Sequence, residues 1–308
     1  MFTYSKELNE YIISRRQKNI NDNKKTAKNI KQLLNMFRPD EITYELAFKI
    51  IKSVEQCINE IYSHPNSTLS LIANLRFLFE TCINTRLLSS EPSYKYKLRY
   101  SIYSHQVEKS ENYTSYAKKD ISLLDTLIQS EKEIELVDSD ESDKKVNELY
   151  DKLDKELSIF LDVAEYNGAE IHKDFIQSYI IENQKRINDM IVARDAFINE
   201  LLKNQEANLI FKFDGSIDDI EKKLKDKRTW KKKATDTGLE EMYMFIYDYT
   251  SALVHSTSYS ILIPNQLDKS EEEMIIGLGT RITNDILENL KVFAKIPNIT
   301  IVESVKVV

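Results

Sequence analysis

Apolar positions open the chain at Phe2, Tyr4, Leu8, Tyr11 and Ile12, give way to the polar run RRQKNINDNKK, and return at Ile30, Leu33, Leu34 and Phe37. This spacing predicts one or two amphipathic helices. Asp40, after Pro39, is a plausible N-cap for a second helix, whose Ile42, Leu46, Ile50, Val54, Cys57, Ile58 and Ile61 keep the helical period until His64-Pro65-Asn66. A third helix starts at Ser67 or Thr68 and runs through LSLIANLRFLFETCINTRLL. Being apolar nearly all round, it is expected to be the central and most buried helix. Beyond Glu91-Pro92-Ser93 the Tyr-rich segment SYKYKLRYSIYSHQVEKSENYTSYAKK predicts another helix, followed by a further one over about 119–136.

The pattern changes at DSDESDKK (138–145), whose like charges repel and which has nothing to bury, so it predicts an exposed acidic linker. From Val146 a seam of Leu149, Leu153, Leu157, Phe160 and Ala164 resumes the helical period and continues to about Leu202, with Gly168 as the break. The length suggests a long helical hairpin over 146–205, or a seam for a homodimer or partner protein along 146–202. Only LIFKF (209–213) and TIVESVKVV (300–308) look strand-like, and they would pair as a small two-stranded ribbon. Ser270 and Glu273 have capping-box spacing at the start of the last long helix.

With five Gly and five Pro in 308 residues, long helices are favoured over a many-turned sheet. The fold class expected is all-α, a long antiparallel helical bundle with at most that accessory ribbon. It would be a single helical domain over 1–308. Within it, 1–38 form an N-terminal arm, 40–137 a first half, and 206–308 a C-terminal half, with linker and hairpin between. A formal charge of −7 argues against a chain coated in nucleic acid but leaves room for a local basic patch. Cys57 and Cys82 sit in apolar helical contexts and read as reduced core residues. No signal-like segment follows Met1 and no apolar run reaches membrane-spanning length, so a cytoplasmic protein without a membrane partner is expected.

Chemistry concentrates in TWKKKATDTGLEEMYMFIYDYTSALVHS. Tyr243, Tyr247, Ser251 and His255 recur every fourth residue and so share a drifting helix face. That face offers hydroxyls and an imidazole that can carry a proton near neutral pH. On the third helix Arg76 and Glu80 are one turn apart, with Asn84 a turn further on. They form either a mutually satisfied ion pair or charged groups retained for a site. If each polar set satisfies the other, the Arg76 and Glu80 helix must pack directly against the Tyr247 to His255 helix and bring all five polar groups, Ser251 included, to one pocket. EKKLKDKRTWKKK (221–233) gathers eight basic residues around the only tryptophan. The run is a solvated face or a phosphate-facing patch, in which Trp230, Lys231, Lys232, Lys233 and Arg228 would meet substrate. No metal-ligand spacing, glycine-rich phosphate loop or nucleophile elbow is present, so neither metal nor cofactor is expected.

LRFLFETCINTRLL together with TW-x(12)-Y-x(3)-Y-x(3)-S-x(3)-H resembles an uncharacterised family of all-helical bacterial proteins, near the HEPN and abortive-infection proteins of phage defence. The resemblance rests on Arg76, Glu80, Trp230, Tyr247, Ser251 and His255. It implies a helical effector that cuts RNA, with His255, Arg76, Glu80, Ser251 and Tyr247 as catalytic residues and RNA as partner. One departure is visible. HEPN ribonucleases place Arg a few residues before His on one helix, whereas only Arg99 and His105 have that spacing here, so Arg76 would have to come from a different helix than His255. The alternative is a non-catalytic interaction or regulatory protein in which the same residues form a buried network.

Overall fold

The computed structural model describes residues 6–63, 67–134, 168–254 and 267–297, with 144–145, 147–148 and 151. Among these are ten helices and no strand: α1 (Lys6–Phe37), α2 (Glu41–Ser63), α3 (Thr68–Ser90), α4 (Tyr94–Ile134), α5 (Ala169–Lys203), α6 (Gln205–Phe211), α7 (Ile217–Leu224), α8 (Trp230–Asp236), α9 (Glu240–Val254) and α10 (Lys269–Phe293). The protein is all-α. It divides into two compact units, one of Met1–Arg99 with Asp226–Val308 and one of Tyr100–Lys225. Among the described residues no helix is long and apolar enough to cross a membrane.

Local chemistry sets several boundaries where the sequence places them. The Asp40 carboxylate accepts from the Thr43 backbone N–H at 3.1 Å and opens α2, and the Ser67 hydroxyl accepts from the Ser70 N–H at 3.4 Å and opens α3. Gly168, at the break expected before α5, has φ +82°, a left-handed conformation that suits glycine. Two boundaries fall elsewhere. The capping box of α10 is formed by Asp268 and Glu271, not Ser270 and Glu273. Asp268 accepts from the Ser270 and Glu271 N–H groups, and Glu271 accepts from the Asp268 N–H at 3.0 Å. An ionised Asp is at least as strong a cap as Ser, and choosing it releases Glu273 for another partner. The break expected near 119 is absent. α4 runs unbroken for 41 residues, with no Gly or Pro within it.

In the first unit α3 is the hub, burying Leu71, Ile72, Leu75, Leu78, Phe79 and Ile83. Its register with α10 runs from Thr68 beside Leu267, through Leu78 beside Gly279, to Ser89 beside Asn289. The two helices therefore point the same way. So do α1 and α10, matched by Arg16 with Glu273 and Asn23 with Thr280. Antiparallel packing, expected throughout, holds for α1 with α2 and for α3 with α9 but not for these central pairs. The short connection between α1 and α2 enforces their reversal, whereas the long stretches of chain from α3 to α9 and to α10 leave the sense of those pairs free.

In the second unit α4 and α5 do pack antiparallel. Lys132 pairs with Glu170 at 3.0 Å, Lys173 with Asp125 at 2.5 Å, and buried Asn183 donates to Thr114 at 2.8 Å. Ala117, Leu124, Leu127, Ala169 and Ile176 form the apolar seam between them. The described partner of α5 is thus α4. The 146–167 arm of the expected hairpin, the acidic stretch 138–143 and the 300–308 strand lie outside the described residues, apart from isolated positions near 147. The other half of the expected ribbon is overturned. Leu209, Ile210 and Phe211 lie in α6, which Asn204 caps through the Ala207 N–H at 3.0 Å and Lys212 ends in a left-handed turn. That turn brings Phe213 back to stack on Phe211 at 5.1 Å between ring centres.

Candidate functional site

α3 carries a polar stripe at i, i+4 and i+8, consisting of Arg76, Glu80 and Asn84. The stripe faces α9 and the start of α4. Arg76 and Glu80, both half-buried, do not form the ion pair their spacing allows. Tyr247 of α9 comes between them. Its hydroxyl donates to Glu80 Oε1 at 2.7 Å, and the Arg76 guanidinium lies 4.5 Å from its ring centre. The Tyr243 ring packs against Tyr247 at 4.2 Å, one turn earlier. Burial, and then the Glu80 carboxylate that accepts its hydrogen bond, push the Tyr247 phenol up to about 12, while Arg76 pulls the other way. At neutral pH Tyr247 is therefore a neutral donor and Arg76 an oriented cation. Neither is a base.

The packing of the Arg76 helix against the Tyr247 helix, expected from the cost of leaving either polar set unmatched, is observed, and of the five groups expected at one pocket it brings together Arg76, Glu80 and Tyr247. Ser251 is half-buried on α9 and its hydroxyl has no hydrogen-bond partner among the described residues. His255, next in sequence after Val254, lies outside the described residues.

The basic run folds into a cluster that the sequence did not suggest. Arg228 bonds Asp226 and Glu91, each at 2.9 Å, and Asp236 at 3.3 Å. Lys233 reaches Asp226 at 3.2 Å, and Lys232 reaches Asp236 at 2.6 Å. Both Arg228 and Lys233 lie against the buried Tyr94 ring, and Lys233 also sits 5.1 Å from the Trp230 ring. Burial opposes ionisation of Asp226, but hydrogen bonds from Arg228 and the charge of Lys233 hold its carboxyl below the ordinary 3.8. Tyr94 donates to Asn84 at 2.6 Å and is met by Lys233 at 3.3 Å, which ties this cluster to the same α3 stripe. Of the five residues expected to meet substrate, Arg228, Lys232 and Lys233 are thus paired with carboxylates. Trp230 is half-buried, and Lys231 is exposed with no acidic partner among the described residues. One signal could have pointed here: Asn84 continues the Arg76–Glu80 stripe and needs a partner of its own.

A second network joins α3 to α10. Cys82 donates to Asp285 at 2.8 Å, and Arg86 binds Asp285 at 2.7 Å and the Thr237 carbonyl at 2.8 Å. Burial, and then the Asp285 carboxylate, push the Cys82 thiol well above its usual range, so it is an un-ionised structural donor. Among the described residues no cluster of three or more His, Cys, Asp or Glu side chains could hold a metal ion.

Comparison with known proteins bears on one part of this arrangement. Residues 155–274 match a family of unknown function, DUF5677. Neither the curated proteins nor the solved structures contain a match. The matched segment carries Trp230, Tyr243, Tyr247, Ser251 and His255, whereas Arg76 and Glu80 lie outside it. The site thus joins α9, from the matched segment, to a helix that precedes it.

Proposed function

We propose that the α3–α9 face is the working site of a metal-independent ribonuclease, an HEPN-like effector of bacterial defence. One observation carries this reading: Arg76 and Glu80 converge on a half-buried face with Tyr247, which follows Glu80 by 167 residues, and the resemblance that suggests RNA cleavage names the same residues. In this reading His255 takes the proton from the attacking 2′-hydroxyl or returns one to the leaving oxygen. Arg76 faces the negative charge that develops on the phosphate, with Tyr247 as a neutral donor beside it and Glu80 fixing the phenol in place. Ser251, one turn before it in sequence, orients the imidazole. Trp230 and Lys231 meet the RNA flanking the scissile bond.

The test is incubation of the purified protein with a broad RNA panel, including transfer RNA, in excess chelator. Cleavage of at least one RNA is expected, and a panel left intact would remove the ribonuclease from the account.

The second reading, a non-catalytic interaction or regulatory protein, is favoured by a different observation. The cations that would hold RNA, Arg228, Lys232 and Lys233, are already neutralised by Glu91, Asp226 and Asp236. Such a cluster holds α8 against α3 and α4 and needs no ligand. In this reading α5, which exposes Ile171, Phe175, Ile181 and Val192, meets a second copy or a partner protein.

A further inference from the structure

Away from the α3–α9 face, α1 and α10 border a groove of about 410 Å³. The two helices present the same spacing to it, with Tyr11, Arg15 and Asn19 on α1 and Glu273, Gly277 and Arg281 on α10. Its charges do not balance. Arg16 is held by Glu273, bonding its carboxylate at 3.1 Å and its backbone carbonyl at 3.3 Å. Arg15 and Arg281 are exposed and have no acidic partner among the described residues. In a chain whose formal charge is −7, the groove therefore carries an excess of two positive charges. Its remaining lining is largely aliphatic, and Tyr11 at its edge exposes 59% of its surface.

Gly277 is the second observation. A glycine inside a helix lowers its stability relative to alanine, and packing usually explains its presence. Gly279 has such a reason, since a β-carbon there would touch Ile61 at 3.5 Å and Leu78 at 3.8 Å. Gly277 has none, because a β-carbon there would meet nothing within 4 Å. What its missing side chain leaves is open space in the groove.

We propose that this groove binds a small phosphomonoester bearing an aromatic ring, the chemistry of a mononucleotide. Guanidinium forks match phosphate oxygens in bidentate geometry, and Arg15 and Arg281 are the groove's two forks without an acidic partner among the described residues. The space falls within the range of roughly 300–1,000 Å³ common for small-molecule sites. The aliphatic lining and the Tyr11 ring take the aromatic part, and Gly277 keeps the floor clear for it. This inference is independent of the ribonuclease reading and holds or fails without any RNA being cut.

Thermal denaturation of the full chain, titrated with ribonucleoside 5′-monophosphates, the matching nucleosides and inorganic phosphate, tests it. A ligand that binds only the folded state raises Tm with concentration. The monophosphates are expected to do so, with nucleosides and phosphate at least about tenfold weaker, since each lacks half of the recognised groups. Arg15→Ala and Arg281→Ala should each weaken the effect about tenfold or more. Gly277→Leu should abolish it while leaving the far-UV spectrum helical and the ligand-free Tm no lower. The proposal is overturned if millimolar monophosphate gives no shift, or if the shift survives Gly277→Leu and both arginine variants. A shift from phosphate equal to that from the monophosphates would likewise overturn it, by removing the aromatic part of the recognition.

Discussion

Tyr247 decides what the candidate site can do, because it stands where an Arg76–Glu80 ion pair would otherwise close. Its phenol is held protonated by burial and by Glu80, so at neutral pH it packs beneath the Arg76 guanidinium without itself exchanging a proton. Tyr247→Phe keeps the ring beneath Arg76 and removes only the donor to Glu80. Chemical denaturation should register a loss of about 1 to 2 kcal/mol, as for a part-exposed hydrogen bond to a carboxylate. Ultraviolet difference titration should lose one tyrosine from those ionising near 12. Asp226 gives the opposite pH signature. Its carboxyl is depressed below 3.8, so its contribution to stability is complete above that value and is lost as pH falls through the folded-state pKa. Melting curves followed from neutral pH into acid should show that part of the loss in the native protein and not in Asp226→Asn. The variant should be the less stable of the two at neutral pH.

The helices divide between those legible from local chemistry and those that depend on distant partners. Asp40 and Ser67 act on backbone groups three residues away and Gly168 acts through its own positive φ, and the boundaries they mark stand where the sequence places them. LIFKF was misleading for the same reason in reverse. A short apolar run has no period to read, and the Asn204 cap just upstream is what makes it helix. The parallel sense of α3 and α10 is not local at all, because it depends on side chains about 200 positions apart, such as Ser89 with Asn289. The same holds at the site. Spacing identified Arg76, Glu80 and Tyr247 as polar groups needing partners, but Glu91, which neutralises Arg228 from 137 residues away, leaves no local mark. Packing of α10 on α3 supplies a test at this scale. A β-carbon at Gly279 would sit at ordinary contact distance from Ile61 and Leu78, so Gly279→Ala should stabilise the protein, by up to about 1 kcal/mol in thermal denaturation. Gly279→Val overfills the same contact and should cost about 1 to 3 kcal/mol.

Across the chain the two compact units have different characters. One is built around α3 and carries the Arg76–Glu80–Tyr247 face and the Tyr94 cluster. The other is an α4–α5 pair closed by an apolar seam. The family match begins in the second unit and ends in the first, so it covers α9 with Trp230 while leaving α3 outside. The central claim is that α3 and the Tyr247–His255 segment nevertheless make one chemical site. The most direct test is the rate of RNA cleavage in chelator by Arg76→Ala, His255→Ala and the double variant, each with its melting temperature recorded. If the residues act as a unit, each single change should lower the rate by about 100-fold or more with little change in melting temperature, and the double variant should be no worse than the poorer single. Cleavage that persists in either single variant, or a melting temperature that collapses in His255→Ala, would contradict the account and leave these residues as a network that fixes helix register.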